Sequence, residues 1–453
     1  MKNMFLIEYK VKGIKTLDQE VALSFYKKTI KYPIETQNYN IKGIYGMNGS
    51  GKSGIISSLD ILKNLLINES YLNNPLVQKN LDEIVNKRTM NLCMNARFLV
   101  DIPNSSYIFQ YEIELKKNRI GNYYIDYEKI SMKNATSRNE LDTILEVKNG
   151  EVIKLEKCEK EFKELFRRKT TNLLTSISSS ALFINYIFDY ETFKKDNSFL
   201  STSLFVLFTF GKNIHVYMED ADNHTSYNLM RFIQNYDEDN NENTFFNSMI
   251  RNAIEMEKNS LVAFSIGPNI IREEQYPSFL KQVDRLKQFI QIFKSDLTDI
   301  IVDKKVDGDV FVCSLNMEYG DYCINTEYES TGIKKLIKLF TYIKEMVQGG
   351  IVFIDELDSN LHDVYLCALL EYLMDYGEGQ LCFTTHNVGP MDILKRNKKS
   401  IDFLSEDHKI YSWRNNGHYS PTSLYKEGMI EGSPFNVDSI DFLGIFDSLG
   451  ESD

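Results

Sequence analysis

The chain of 453 residues has room for about two or three domains, each able to bury a core of its own. With 43% hydrophobic and 26% charged residues it reads as soluble and globular. A net charge of −12 argues against a generic nucleic-acid coat, whose affinity rests on neutralising phosphates. No window is apolar for long enough to span a bilayer; the closest, Leu204 to Phe210, is far too short and reads as a buried strand or helix. The apolar patch Met4 to Ile7 lacks signal-peptide architecture. Cys93, Cys158, Cys313, Cys323, Cys367 and Cys382 form no C-x-x-C pair, which argues against a zinc site and suits a reduced, cytoplasmic protein.

Residues 1–53 read as strands feeding a loop. Ile41, Ile44 and Tyr45 make a short apolar strand, followed by Gly46-Met47-Asn48-Gly49-Ser50-Gly51-Lys52-Ser53, which matches G-x-x-x-x-G-K-[ST] at every fixed position. Glycines let consecutive backbone N–H groups turn inward around phosphates, a turn that side chains would block. Lys52 supplies a flexible charge for the phosphates, and the Ser53 hydroxyl suits a magnesium ion. Gly46, Asn48, Gly49, Ser50, Gly51, Lys52 and Ser53 are therefore the expected nucleotide contacts. Ile55, Leu59, Leu62 and Leu66 recur at helical spacing, so the loop opens a helix over 54–68 whose N-terminus favours anions.

From about 91 to 130 the pattern turns to strands, with near-perfect alternation from Tyr107 to Leu115. Residues 131–300 are more helical, charged and polar. Leu155, Cys158, Phe162 and Leu165 sit at helical spacing, as do Val283, Leu286, Phe289, Ile290 and Phe293, predicting a mostly helical insertion. Tyr236 to Asn243 is an acidic loop, and Glu219-Asp220-Ala221-Asp222 a solvated carboxylate group rather than a metal site. Arg167-Arg168-Lys169 and the run Lys395 to Lys399 read as solvated helix ends and loops, with a local DNA contact left open.

Past residue 300 strands return. Ile351-Val352-Phe353-Ile354 suits a central parallel strand covered on both faces, and Leu381-Cys382-Phe383-Thr384 its neighbour. Asp355 has the form of an acid that helps hold Mg²⁺, and Glu356 beside it is placed to polarise an attacking water. A helix N-cap followed by a first-turn acid is the bland alternative. Ser330 and Gly332 precede a helix whose apolar face is Leu336, Phe340 and Ile343, another anion-binding position, although a plain N-cap explains Ser330 equally well. Lys409 to Trp413 reads as one arm of a hairpin turning through Asn415-Asn416-Gly417, and the tail from Asp438 to Asp453 is acidic. The expected fold is α/β with a mixed sheet, divided as 1–130, 131–300 and 301–453.

Together the segments GMNGSGKS (46–53), ESTGIKKL (329–336), IVFIDELDSNLH (351–362) and CFTTHN (382–387) resemble an ABC-type ATPase head of the RecF/SMC/OLD kind. More closely, they are similar to AAA-like ATPases of bacterial abortive-infection and related phage-defence systems. The resemblance covers about residues 1–130 and 300–425. It implies ATP and Mg²⁺ as ligands, Lys52 and Ser53 in the phosphate-loop roles, Asp355 on the metal and Glu356 as catalytic base. It further implies Ser330 and Gly332 as the signature segment, Asp358 as the D-loop acid and His386 as the switch histidine. In such proteins the signature faces the nucleotide of the other subunit, so the active unit resembles a two-fold homodimer. The signature reads ESTG rather than L-S-G-G-[QE], which weakens a transporter reading. Gln110 and Gln78 are the candidates for a Q-loop glutamine, each read first as structural.

Three functions stay open. The leading one is an ATPase sensor or motor of an antiviral system acting with a separate nuclease or toxin effector. The others are a DNA-binding repair ATPase like RecF and a nucleotide-gated scaffold. Only 67 residues follow His386, too little for a separate catalytic domain, so no nuclease is expected in this chain.

Overall fold

The computed structural model describes residues 4–155 (without 32 and 103–104), 160, 163–164, 166–168, 178–183, 199–218 and 264–433 (without 309 and 415–418). The loop at Tyr236–Asn243, the carboxylates of 219–222, the turn at 415–417 and the acidic tail lie outside the described residues, as do Cys158, Phe162, Leu165 and Lys169.

The first strands, β1 (Met4–Lys12) and β2 (Val21–Ser24), precede the loop strand β3 (Ile41–Gly46) and the helices α1 (Lys52–Ile67) and α2 (Pro75–Ile84). Five strands follow: β4 (Asn91–Ile102), β5 (Ser105–Lys117), β6 (Tyr123–Asn134), β7 (Asp142–Lys148) and β8 (Glu151–Leu155). All of these except β3 form an antiparallel sheet in the order β2-β1-β4-β5-β6-β7-β8. The predicted alternation in β5 has its physical cause here: Tyr111, Ile113 and Leu115 face the core while Gln110, Glu112 and Glu114 are half-buried on the other face.

Next come α3 (Phe199–Asn213), β9 (Ile214–Tyr217), β10 (Asn269–Arg272), α4 (Tyr276–Phe293), β11 (Asp299–Asp307), β12 (Val310–Glu318) and β13 (Cys323–Asn325). The C-terminal set is α5 (Thr331–Val347), β14 (Ile351–Ile354), α6 (Asp363–Tyr376), β15 (Gln380–Thr384), α7 (Met391–Leu394), β16 (Ile401–Leu404), β17 (Ile410–Ser412) and α8 (Pro421–Lys426). A six-stranded sheet runs β17-β16-β3-β15-β14-β9. Its five strands from β16 to β9 pair in parallel, and β17 closes the edge antiparallel. This is the mixed α/β fold expected from the sequence. One core joins α1, α3 and the antiparallel sheet; a second joins the other face of the parallel sheet to α5 and α6. Burial on both faces explains the all-apolar run of β14. Inside the sheet, Lys42 of β3 and Asp402 of β16 form a wholly buried ion pair at 2.6 Å, with Ser412 donating to the second carboxylate oxygen at 2.6 Å.

The helical insertion expected over 131–300 needs correction. β6 runs through residue 130 and β11 through residue 300, so neither boundary falls between elements. Residues 142–155 complete the antiparallel sheet, and Leu155 ends β8 instead of starting a helix. The Leu204–Phe210 run lies in α3 and packs against α1, with Phe210 stacked on Phe98 at 3.9 Å between ring centroids. β9 then enters the parallel sheet beside β14. The later helical face is that of α4, where Val283, Leu286 and Ile290 join Leu336 and Ile337 of α5 in a third core, over the small sheet β10-β12-β11. Among the described residues, no helix is long and apolar enough to cross a membrane.

Candidate nucleotide site

The loop between β3 and α1 is shaped by two glycines. A Cβ on Gly46 would stand 2.4 Å from the Leu404 carbonyl oxygen of neighbouring β16. Gly51 has φ +107°, and a Cβ there would reach 2.4 Å from Leu17 Cδ2. Asn48 and Gly49 form the exposed crest, where Thr16 Oγ1 donates to the Gly49 carbonyl at 3.3 Å. Ser50 is buried, and its Oγ has no hydrogen-bond partner. Lys52 opens α1, with Ser53 half-buried beside it. The Lys52 ammonium donates to the carbonyls of Gly46 at 2.7 Å and Met47 at 2.9 Å. Burial holds its pKa below the ordinary lysine value, against the opposing pull of Asp355, Glu356 and Asp358.

Those three acids follow β14, and β15 lies between β14 and the loop strand. At the end of β15, Thr384 Oγ1 donates to Asp355 Oδ1 at 2.5 Å and accepts the Glu356 N–H at 2.8 Å. Glu356 itself is exposed and has φ +48°, an uncommon conformation for a residue with a Cβ. Its carbonyl accepts from Lys335 Nζ of α5 at 2.6 Å, and the same ammonium donates to Ser359 Oγ. Asp358 carries a buried carboxylate oxygen, Oδ1, with no hydrogen-bond partner.

His386 lies just past β15. Its pKa is lowered, first by partial desolvation and then by Lys52, while Asp358, Glu356 and Asp355 oppose the shift. Lys52, Asp355, Glu356, Asp358 and His386 thus sense one another's charge, and all lie at the carboxyl ends of parallel strands or on the helix that follows one. That edge is where open α/β sheets bind ligands.

The segment expected as the signature, Ser330 and Gly332, contacts different partners. Ser330 caps α5, its Oγ accepting the Ile333 N–H at 3.4 Å, so the plain N-cap is realised in this chain. Gly332 approaches the turn after Asp358, where a Cβ would lie 3.2 Å from the Asn360 carbonyl oxygen. Glu329 accepts the Tyr319 hydroxyl at 2.6 Å. Neither glutamine considered for a Q-loop has its described contacts at the site. Gln110 accepts from Arg97 at 2.7 Å, and Gln78 joins α2 to Leu72 and Tyr123.

Sequence reasoning missed Thr384, Lys335, Ser359 and Thr16. Thr384 and Lys335 stand inside the motifs quoted for the resemblance, but only the fold brings their polar atoms to the two peptide groups of Glu356. Among the described residues no group of three or more metal-ligating side chains stands together, so a metal here would rest on Asp355, the Ser53 hydroxyl and the phosphates themselves. The orphaned Ser50 and Asp358 oxygens, the lysine at the helix start and the glycine-lined turn all fit a magnesium nucleotide.

A family model described as "AAA domain, putative AbiEii toxin, Type IV TA system" matches residues 41–392. The matched span begins at β3 and ends in α7, so it includes every site residue expected from the sequence, while Thr16, Leu17 and Leu404 around the loop lie outside it. No curated protein matches the chain.

Proposed function

The chain belongs to the AAA-domain family described as putative AbiEii toxins of type IV toxin–antitoxin systems, and from this premise we propose that it binds and hydrolyses ATP to control a separate effector in antiviral defence. The observation that carries the reading is the convergence of Lys52, Asp355, Glu356, Asp358 and His386 at one sheet edge. Magnesium, when bound, supplies charge neutralisation on the phosphates, with Asp355 and Ser53 as its holders. Lys52 gives up its two carbonyl partners to meet phosphate oxygens, and the backbone N–H groups of the loop meet others. Glu356 takes a proton from the attacking water. Desolvation and Lys52 shift His386 toward its neutral form, which can accept or donate a hydrogen bond at the reacting end.

In this reading Ser330 and Gly332 act on the nucleotide of a second copy, and Asp358 lies near the joint between copies. The described contacts of Ser330 and Gly332 with their own chain, at the start of α5 and at Asn360, are compatible with that arrangement. The effector, a nuclease or toxin, is expected to be a different chain.

Two substitutions test the assignment. Lys52→Ala should abolish detectable nucleotide binding in a fluorescent-analogue titration. Glu356→Gln should bind ATP normally yet turn over at least about a hundred-fold more slowly, the scale of a positioned base. Unchanged turnover in Glu356→Gln would remove the base from the mechanism.

A further inference from the structure

We infer that Lys335 is a positioning residue for Glu356, through which the signature helix α5 sets whether the base is aimed. The inference rests on the ATPase reading above and adds to it a mechanical link between two parts of the site.

Glu356 keeps a left-handed backbone at φ +48° although it has no glycine's freedom. Such a conformation persists only when its surroundings over-determine it. Here both peptide groups of the residue are gripped from outside its own strand. Its N–H donates to Thr384 Oγ1 at 2.8 Å, and its carbonyl accepts from Lys335 Nζ at 2.6 Å. The same carbonyl also accepts the Ser359 N–H at 3.1 Å, and Lys335 reaches Ser359 Oγ as well. One ammonium therefore ties both ends of the turn 356–359 to α5.

Lys335 is only 3% exposed. A buried ammonium is costly unless its donors are used, and an apolar side chain of the same length would fill the space more cheaply. Its described acceptors, the Glu356 carbonyl and Ser359 Oγ, give a buried lysine a reason that packing alone does not. Ser330 and Gly332 begin the same helix, with Lys335 little more than one turn further on. If α5 shifts or rotates, the ammonium leaves the Glu356 carbonyl. The peptide can then relax toward an ordinary right-handed conformation and turn the Cβ of Glu356 away. The base would be aimed only while the signature helix is seated.

The experiment uses the full chain carrying Lys335→Met, which keeps length and apolar stem while removing the donors. ATP turnover, fluorescent-nucleotide affinity, thermal melting and hydrogen exchange of the segment 351–361 are read together. The expected result is kcat lowered at least about tenfold, with KM and Kd within about twofold of the parent and faster exchange at 351–361, the pattern of a lost transition-state interaction. Should Lys335→Met fail to fold, Lys335→Gln, which keeps a shorter uncharged donor, must show a smaller drop, again confined to kcat and accompanied by faster exchange. Unchanged kcat and exchange, or binding that weakens in step with turnover, would overturn the inference. A parent protein without ATP turnover would instead overturn the ATPase reading, while the exchange comparison would still decide whether Lys335 holds the turn.

Discussion

His215 is held far from its ordinary acid–base range at the edge of the parallel sheet. It sits on β9, with Nε2 3.6 Å from Glu345 Oε2 of α5. Burial, helped by Lys63 and Lys212, lowers its pKa from 6.5 to about 3. The unfolded chain therefore takes up a proton more readily than the folded one between these values. Stability from this residue is complete above about pH 6.5 and is lost as pH falls toward 3, with a slope of at most about 1.4 kcal/mol per pH unit. Glu345 acts with the opposite sign, because burial raises its pKa and its ionisation at higher pH disfavours the folded state. Comparing the parent with His215→Leu separates the two. Urea unfolding from pH 4.5 to 7.5 should show a shallower rise of stability with pH in the variant, and parallel curves would refute the assignment. Nothing in the sequence marks His215, since its neighbours on α1, α3 and α5 are brought together only by the fold.

At the scale of elements, legibility followed locality. The strand Ile41–Gly46, the glycine loop and the helix after it were readable because each signal lies within a few residues of the next. β14 and β15 were readable because parallel strands covered on both faces leave continuous apolar runs. Residues 142–155 and 199–217 are hard to place from sequence because short strands and an all-round apolar helix carry weak periodicity, and because α1 and β14, the partners of 199–217, lie far away in the chain. One joint between the sheets is equally non-local. β2 pairs β1 only from Glu8 to Val11, and beyond that pairing the buried Gln380 side chain serves Leu6, accepting its N–H at 2.5 Å and donating to its carbonyl at 3.0 Å. Gln380→Ala would leave two buried backbone groups without partners. It should destabilise the protein by about 2 kcal/mol or more in chemical denaturation. A loss below about 0.5 kcal/mol would mean that water or a neighbour replaces the amide.

The whole molecule raises the question of a second copy. The nucleotide-facing role proposed for Ser330 and Gly332 requires one, arranged about a two-fold axis so that each site is completed by its partner. The Glu356→Gln variant with ATP and magnesium should then double its mass in light scattering, and adding Ser330→Arg to it should return it to a monomer without loss of nucleotide affinity. A variant that stays monomeric at concentrations well above that affinity would exclude the composite site.

The parallel sheet also carries a timetable. β3 presents the phosphate loop, yet its two sheet neighbours are β15 and β16, first paired at Leu381 and Ile401. From Ile41 to Leu381 is 340 residues (381 − 41), which a ribosome adding roughly 5–20 residues per second covers in about 20–70 s. Throughout that interval the nascent chain holds a complete glycine loop but no strand on either side of it, no Asp355-Glu356 pair for most of the time, and no Leu404 carbonyl behind Gly46. The loop thus gains its sheet neighbours only after β15 and β16 have been made, and a chain interrupted before β15 carries the motif without them.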